Sequence, residues 1–201
     1  MLSDMGVMIN RRRMFGGKKL PYDMEIEYLE SSGTQYIDTG VVPKTTLSVK
    51  IKYNILQLTA GRNIGIFGCV VSNKGMFSGV AAQHYFINRT DHYLESIPYA
   101  LNTVQEEEYI NNAMIRDGVT YTTSPIVANN IPILLFGRNA SGTVERIGSL
   151  RIYYFTLYDN GVLVRNLIPV RVGTTGYLYD KVSGKLFGNA GTGELILGPD
   201  K

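Results

Sequence analysis

Hydrophobic and polar positions alternate along much of the chain with the two-residue period of a β-strand. The clearest example is the segment TLSVKIKYNIL, at positions 46–56. Its apolar residues Leu47, Val49, Ile51, Tyr53 and Ile55 alternate with the polar residues Ser48, Lys50, Lys52 and Asn54. Because successive side chains of a strand point to opposite faces of a sheet, this segment predicts a strand with one buried face.

Turn signals divide the remaining chain into further short strands. From Tyr22 onward, runs of β-branched and aromatic residues are interrupted about every ten residues by Gly, Asn, Asp or Pro. Asp117-Gly118 and Asn160-Gly161 each lie between two extended runs, and both pairs tolerate the positive φ angles of a tight hairpin turn. The apolar residues at positions 106–114 are too sparse to predict a helix. Many short strands with almost no helix predict an all-β sandwich or barrel.

Composition excludes several classes of protein. Cys69 lies in the apolar run IGIFGCVV and is the sole cysteine, so we expect a buried, inert thiol and no disulfide within the chain. Two histidines leave little to bind zinc. No apolar stretch approaches the roughly 20 residues of a membrane-spanning helix, and the N-terminus lacks the apolar segment of a secretory signal. The sequence therefore predicts no membrane span, no Sec export and no cofactor.

Basic charge is concentrated at the N-terminus. Positions 1–21 hold five of the 20 Lys and Arg residues but one of the 17 acidic residues. The five basic residues are Arg11, Arg12, Arg13, Lys18 and Lys19. Three glycines, a proline and the lack of an apolar period predict an extended arm, followed by a folded domain over 22–201. Such an arm would anchor the chain on an acidic partner surface. A tail without a role is one alternative. Binding to nucleic acid is a weaker one, because Phe15 is the arm's single aromatic residue.

Two patterns imitate catalytic or phosphate-binding motifs. The stretch GNAGTG at 188–193 is rich in glycine, but a phosphate loop needs a helix after it, and the apolar run ELIL follows instead. We therefore expect KLFG and ELIL to be paired strands around a glycine turn. Glu25, Glu27 and Glu30 imitate the spacing of retaining glucanases, whose two carboxylates lie about 5–5.5 Å apart. They precede most of the predicted sheet, so a solvated strand edge is favoured.

No catalytic residue or metal site is predicted. A Ser-His-Asp site would require His84 or His92, and neither has a nucleophile-elbow sequence nearby. Asp38, Asp159 and Asp180 are scattered, without the spacing of calcium ligands.

A candidate binding surface lies in the segment AQHYFINRTDHYLESIPY, at positions 82–99. Aromatic rings and planar polar side chains suit sugars, because rings stack on C–H groups while amides and guanidinium groups bond hydroxyls. The candidate glycan-binding residues are His84, Tyr85, Asn88, Arg89, Asp91, His92 and Tyr93. An ordinary polar strand pair with tyrosines packed on the sheet is the alternative.

Two stretches carry a family resemblance. EYLESSGTQYIDTG, at 27–40, and GYLYDKVSGKLFGNAGTGELILGPD, at 176–200, resemble the opening and closing segments of a concanavalin A-like, laminin-G-like module. That module is frequent in gut Bacteroidales, their prophages and crAss-like phages. The segment GSLRIYYFTLYDNGVLVRNLIPVR, at 148–171, is also similar to it. The resemblance covers about 22–201 and implies a jelly-roll β-sandwich of two antiparallel sheets, preceded by the basic arm.

The resemblance also implies a function. Members of this group often bind glycans, and related phage proteins have a short Arg-rich or Met-rich leader before the sandwich. This implies a non-enzymatic virion protein on the capsid or tail exterior, such as a head fibre, a capsid decoration or a tail appendage. Residues 1–21 would dock on other virion proteins, and homo-oligomers are expected, with no nucleic acid or membrane as partner. A bacterial surface or secreted carbohydrate-binding module is the alternative.

Overall fold

The computed structural model describes residues 14–15, 18–58, 63–80, 84–87, 91–93 and 99–201. In these ranges the chain forms strands, turns and irregular connections, and no helix long and apolar enough to cross a membrane is found there. The strands, in chain order, are β1 (Met14–Phe15), β2 (Lys18–Lys19), β3 (Met24–Glu25), β4 (Leu29–Ser32), β5 (Ile37–Asp38), β6 (Leu47–Gln57), β7 (Ile64–Val71), β8 (Lys74–Val80), β9 (His84–Ile87), β10 (Asp91–Tyr93), β11 (Val104–Ile110), β12 (Ala113–Arg116), β13 (Val119–Thr122), β14 (Leu134–Leu135), β15 (Arg138–Ala140), β16 (Thr143–Glu145), β17 (Ser149–Asp159), β18 (Val162–Val172), β19 (Thr175–Asp180), β20 (Leu186–Phe187) and β21 (Ile196–Leu197).

The strands form two main sheets. The large sheet has the order β13-β12-β11-β6-β17-β18-β19-β20, with β4 on β17, β21 on β4 and β3 on β18. The small sheet has the order β10-β9-β8-β7-β14-β5, with β15 on β7 and β16 on β15. Among the described strands, neighbours pair antiparallel except for a short parallel contact between β7 and β15. The predicted all-β sandwich of two sheets is therefore confirmed, with this one departure from antiparallel pairing.

The core lies between the two sheets. The predicted inner face of β6 is buried throughout, from Leu47, which is 4% exposed, to Ile55, which is 0% exposed. Phe67 of the small sheet contacts the rings of Tyr109 and Phe155 of the large sheet edge-on, at centroid distances of 5.4 and 5.5 Å. Edge-to-face packing of this kind adds to the burial of apolar area in holding the two layers together.

The tight turns lie where the sequence predicts them. Asp117 and Gly118 connect β12 to β13 with φ angles of 51° and 79°. Asn160 and Gly161 connect β17 to β18 with φ angles of 50° and 76°. Positive φ at both central residues is the mark of the hairpin turns whose twist matches that of the flanking strands. Positions 106–114 form parts of β11 and β12, so the absence of a helix there is confirmed.

Cys69 is part of the core, as predicted. Its side chain is 0% exposed, and burial raises the pKa of its thiol to about 12. The Sγ atom lies 3.8 Å from the side-chain amide of Asn129. A thiol with this pKa remains protonated at neutral pH and is a poor nucleophile.

One prediction about strand pairing is wrong. The runs KLFG and ELIL contain β20 and β21, but β20 pairs with β19 and β21 pairs with β4. They are kept apart because the glycine-rich segment between them packs against another part of the chain. The amide of Thr192 donates to the carbonyl of Thr34, and a Cβ on Gly191 would overlap that same carbonyl. The segment is a tightly packed corner that contacts a distant loop.

A polar cluster is buried between the sheets. The carboxylate of Glu107, which is 0% exposed, accepts hydrogen bonds from the hydroxyls of Tyr53 at 2.5 Å and Tyr109 at 2.6 Å. The hydroxyl of Ser78, on the opposite sheet, lies 2.7 Å from that of Tyr109, and Arg116 lies 3.6 Å from Glu107. Burial and the charge of Glu107 raise the pKa of both phenols, so both remain hydrogen-bond donors. The cluster fixes β11 against β6.

Candidate functional site

The surface predicted from the sequence lies at the edge of the small sheet. Strands β9 and β10 pair antiparallel there, and their backbones include His84, Tyr85, Asp91, His92 and Tyr93. The side chains of these five residues lie outside the described part of the chain, as do Asn88 and Arg89 entirely. The predicted glycan-binding surface therefore stays a prediction.

The predicted anchoring arm is described in part. Strands β1 and β2 pair with each other through Met14 and Lys19 and through Phe15 and Lys18. Lys19 is exposed. Arg11, Arg12 and Arg13 lie outside the described residues, so the anchoring role stays a prediction.

A cleft that the sequence analysis did not find lies at one end of the sandwich. Three parts of the large sheet form it: the start of β6, the β11–β12 turn and the β17–β18 turn, with residues 123–126 as a further wall. Its volume is about 500 Å³. Polar side chains predominate in its lining, and they are Thr45, Thr46, Ser48, Asn111, Asn112, Thr123, Ser124 and Asn160. A concave site of this size can hold a small ligand or one unit of a larger one.

Asparagine lies at both turns because both require positive φ. Asn111 and Asn112 connect β11 to β12 with φ angles of 49° and 61°, and Asn160 has a φ of 50°. Asparagine tolerates this conformation better than most residues with a side chain. All three residues are exposed, and none of their amide side chains has a hydrogen-bond partner within the described ranges. Turn geometry thus places three free amides along one cleft.

The backbone and an ion pair fix the cleft walls relative to one another. The amide of Asn160 donates to the carbonyl of Thr46 at 3.1 Å. The Lys44 Nζ lies 2.6 Å from the Asp159 Oδ2, and the Thr46 hydroxyl donates to the Asp159 Oδ1 at 2.5 Å. Hydrogen bonds from Lys44 and Thr46 hold the pKa of Asp159 below its usual value. The start of β6 is therefore tied to the end of β17.

The lining chemistry suits a ligand rich in hydroxyl groups. An amide side chain offers both donors and an acceptor, and a Ser or Thr hydroxyl offers one of each kind. None of the described residues that line the cleft is charged, and the neighbouring Asp159 is paired with Lys44, so the cleft has no concentrated charge of one sign. In the described part of the chain, no group of three or more His, Cys, Asp or Glu side chains could hold a metal ion.

The glucanase-like carboxylates have separate partners. Glu30 of β4 accepts a hydrogen bond from the Nε of Arg151 at 2.7 Å. Glu25 of β3 accepts one from the hydroxyl of Tyr22 at 3.0 Å. Glu27 is exposed on the connection between these strands. The absence of catalysis by this group stays a prediction.

Comparison with known proteins supports the fold but identifies no family. No protein-family model and no curated protein matches the sequence. One similar solved structure is that of a protein from Bacteroides ovatus described as a candidate carbohydrate-binding protein. The two structures align with a TM-score of 0.59 and 9% sequence identity, over 88% of this chain and 60% of the other. The chain therefore spans about 60% of the length of that protein, and at this identity the likeness is one of fold.

Proposed function

We propose that the chain is a non-enzymatic, lectin-like protein whose cleft between the β11–β12 and β17–β18 turns binds a glycan. The observation that carries this proposal is the convergence of three free amides, those of Asn111, Asn112 and Asn160, on one cleft. Sugars present dense arrays of hydroxyls, and amide side chains that line a cleft can bond them in pairs. The fold that the chain shares with a candidate carbohydrate-binding protein supports the same function.

We further propose that a phage particle displays this protein. Support comes from the resemblance to crAss-like phage proteins and from the separation of charge along the chain. The basic segment 1–21 docks on a capsid protein or a fibre stem, and the sandwich faces outward as a head fibre, capsid decoration or tail appendage. Display as a homo-oligomer raises the effective affinity for cell-surface glycans through multivalency.

A bacterial carbohydrate-binding module is the second candidate. The similar structure belongs to a bacterial protein, and this chain spans about 60% of its length. In that setting the sandwich serves as a glycan-binding part of a surface or secreted protein.

The glycan proposal is tested on a glycan array with matched variants. Asn112→Gly and Asn160→Gly remove an amide while keeping a residue that accepts positive φ. Asn73→Gly is the control, because Asn73 is an exposed turn residue with a φ of 61° outside the cleft. We expect the wild type and Asn73→Gly to bind the same glycans and the two cleft variants to lose binding. Equal binding by all four proteins, or no binding by the wild type, would contradict the proposal.

The virion proposal is tested by mass spectrometry of purified particles. The chain should be present in virions, and a chain that lacks residues 1–21 should be missing from them while it remains folded. Normal incorporation of the shortened chain contradicts the anchoring role. Absence of the full chain from virions, together with glycan binding in solution, favours the bacterial module.

A further inference from the structure

The cleft adjoins the outer face of the large sheet. Ser48 lines the cleft and precedes Lys50 and Lys52 on the half-buried, outward-facing side of β6. Tyr158 of β17 lies directly opposite Ser48. Since directly opposed residues of neighbouring strands share a face, Tyr158 lies where the cleft meets the outer face.

Two further tyrosines of β17 lie on the same face. The register between β17 and β6 shifts between Ile152 and Tyr154, which marks a β-bulge. A bulge adds one residue to a strand and so allows two successive side chains to turn to the same side. Tyr154 lies opposite Lys52, and the Lys52 Nζ is 5.9 Å from the ring centre of Tyr153. Both half-buried rings therefore border Lys52 on the outer face.

Neighbouring side chains hold these rings in place. The hydroxyl of Tyr154 is hydrogen-bonded to Glu106 of β11, and burial together with this bond raises its pKa. Tyr153 packs edge-on against Tyr28 at a centroid distance of 5.6 Å. The guanidinium of Arg151 lies 4.3 Å from the ring centre of Tyr28. A ring that is already fixed loses little conformational entropy when a ligand stacks on it.

The row of rings is longer than one sugar. Tyr153 and Tyr158 are separated by about 16 Å along the strand at the usual rise per residue. A single pyranose ring is several times shorter, so a monosaccharide in the cleft cannot reach Tyr154 or Tyr153. Tyrosine rings offer flat apolar surfaces with polar edges, which match the C–H patches and hydroxyls of successive sugars.

We infer that the ligand is an oligosaccharide or polysaccharide chain, with one unit in the cleft and the following units along Tyr158, Tyr154 and Tyr153. This inference rests on the proposed glycan-binding function and specifies its ligand as a chain. It assigns the outer face of β17 as a second part of the binding site.

The test is the dependence of affinity on chain length. The probes are cello-, laminari-, xylo- and manno-oligosaccharide ladders, from disaccharide to hexasaccharide, titrated calorimetrically into the full chain. For the ladder that binds, we expect the affinity to rise by about tenfold or more with length. Tyr158→Ala should flatten this rise, and Tyr158→Phe should keep it because stacking needs the ring. Tyr177→Ala, on β19 of the same sheet, is the control and should behave as the wild type.

The outcomes separate this inference from the proposed function. In one outcome, the affinity is independent of chain length and insensitive to Tyr158→Ala, and yet is lost in Asn112→Gly. That result overturns the inference of a chain-like ligand and leaves the cleft as a glycan site. A loss of length dependence in Tyr177→Ala as large as in Tyr158→Ala overturns the assignment to β17. Failure of every ladder to bind contradicts the inference, and the glycan array then decides the proposed function by itself.

Discussion

Replacing Tyr53 with phenylalanine tests whether the buried polar cluster stabilises the sandwich. The substitution removes one hydroxyl and keeps the ring, so the packing around it is almost unchanged. The lost hydrogen bond is the 2.5 Å contact to Glu107, and both residues are 0% exposed. A hydrogen bond to a charged group contributes about 1.5–3 kcal/mol. Because Glu107 keeps its bond from Tyr109 at 2.6 Å, we expect Tyr53→Phe to lower the free energy of unfolding by about 2 kcal/mol.

Equilibrium unfolding in urea at neutral pH measures this loss. Tyr177→Phe is the matched control, because Tyr177 is half-buried and its hydroxyl has no hydrogen-bond partner within the described ranges. The control should lie within about 0.5 kcal/mol of the wild type. Wild-type stability of Tyr53→Phe, or equal losses in the two variants, would show that the bond to Glu107 does not stabilise the fold.

Three further predictions concern stability. Gly191→Ala should destabilise the fold by about 1–3 kcal/mol, seen as a lower thermal midpoint, because its Cβ would overlap the backbone of Thr34. Asn54→Leu should raise the urea midpoint, with a gain of about 1 kcal/mol, because the buried Asn54 Oδ1 has no hydrogen-bond partner within the described ranges. Burial opposes ionisation of Asp180, but hydrogen bonds from Asn166 and from Ser183 hold its pKa below its usual value. The carboxylate therefore adds stability above the pKa of the unfolded chain, and this stability is lost as the pH falls through the folded pKa. In urea unfolding at a series of pH values, Asp180→Asn should lose less stability than the wild type between neutral pH and about pH 3.

Local chemistry was enough to predict several elements. The alternation in β6 and the turns at Asp117-Gly118 and Asn160-Gly161 depend on neighbouring residues alone, and the structure confirms them. The two-sheet fold was also predicted, from the strand pattern together with the family resemblance. Such features are visible in sequence because strand period and turn conformation are set within a few residues.

Long-range contacts determine the features of the fold that the sequence did not predict. The prediction that β20 and β21 pair with each other was wrong. Both strands are two residues long, and their positions are set by pairing with β19 and β4. The inner face of β11 was also missed, because Gln105 and Glu107 occupy positions where a strand usually has apolar residues. The alternation of Gln105, Glu107 and Tyr109 was the one available sign of a buried face. It can be recognised as such only when Tyr53 of β6 is known to lie beside these residues and to bond Glu107.

The cleft could not be predicted for the same reason. Asn112 and Asn160 are far apart in sequence and approach one another only because β11, β6 and β17 are neighbours in the large sheet. The turn at Asn160-Gly161 was predicted from the sequence, yet a turn signal does not say which other turn lies beside it.

Glycan binding in the cleft can be observed by following the asparagine side-chain amides by NMR while the glycan selected on the array is added. We predict saturable shifts of the amide signals of Asn111, Asn112 and Asn160, with the signal of Asn73 unchanged. Unchanged signals for all three cleft residues while the glycan binds would show that the cleft is not the binding site. Shifts confined to 82–99 would instead place the binding site on the surface predicted from the sequence.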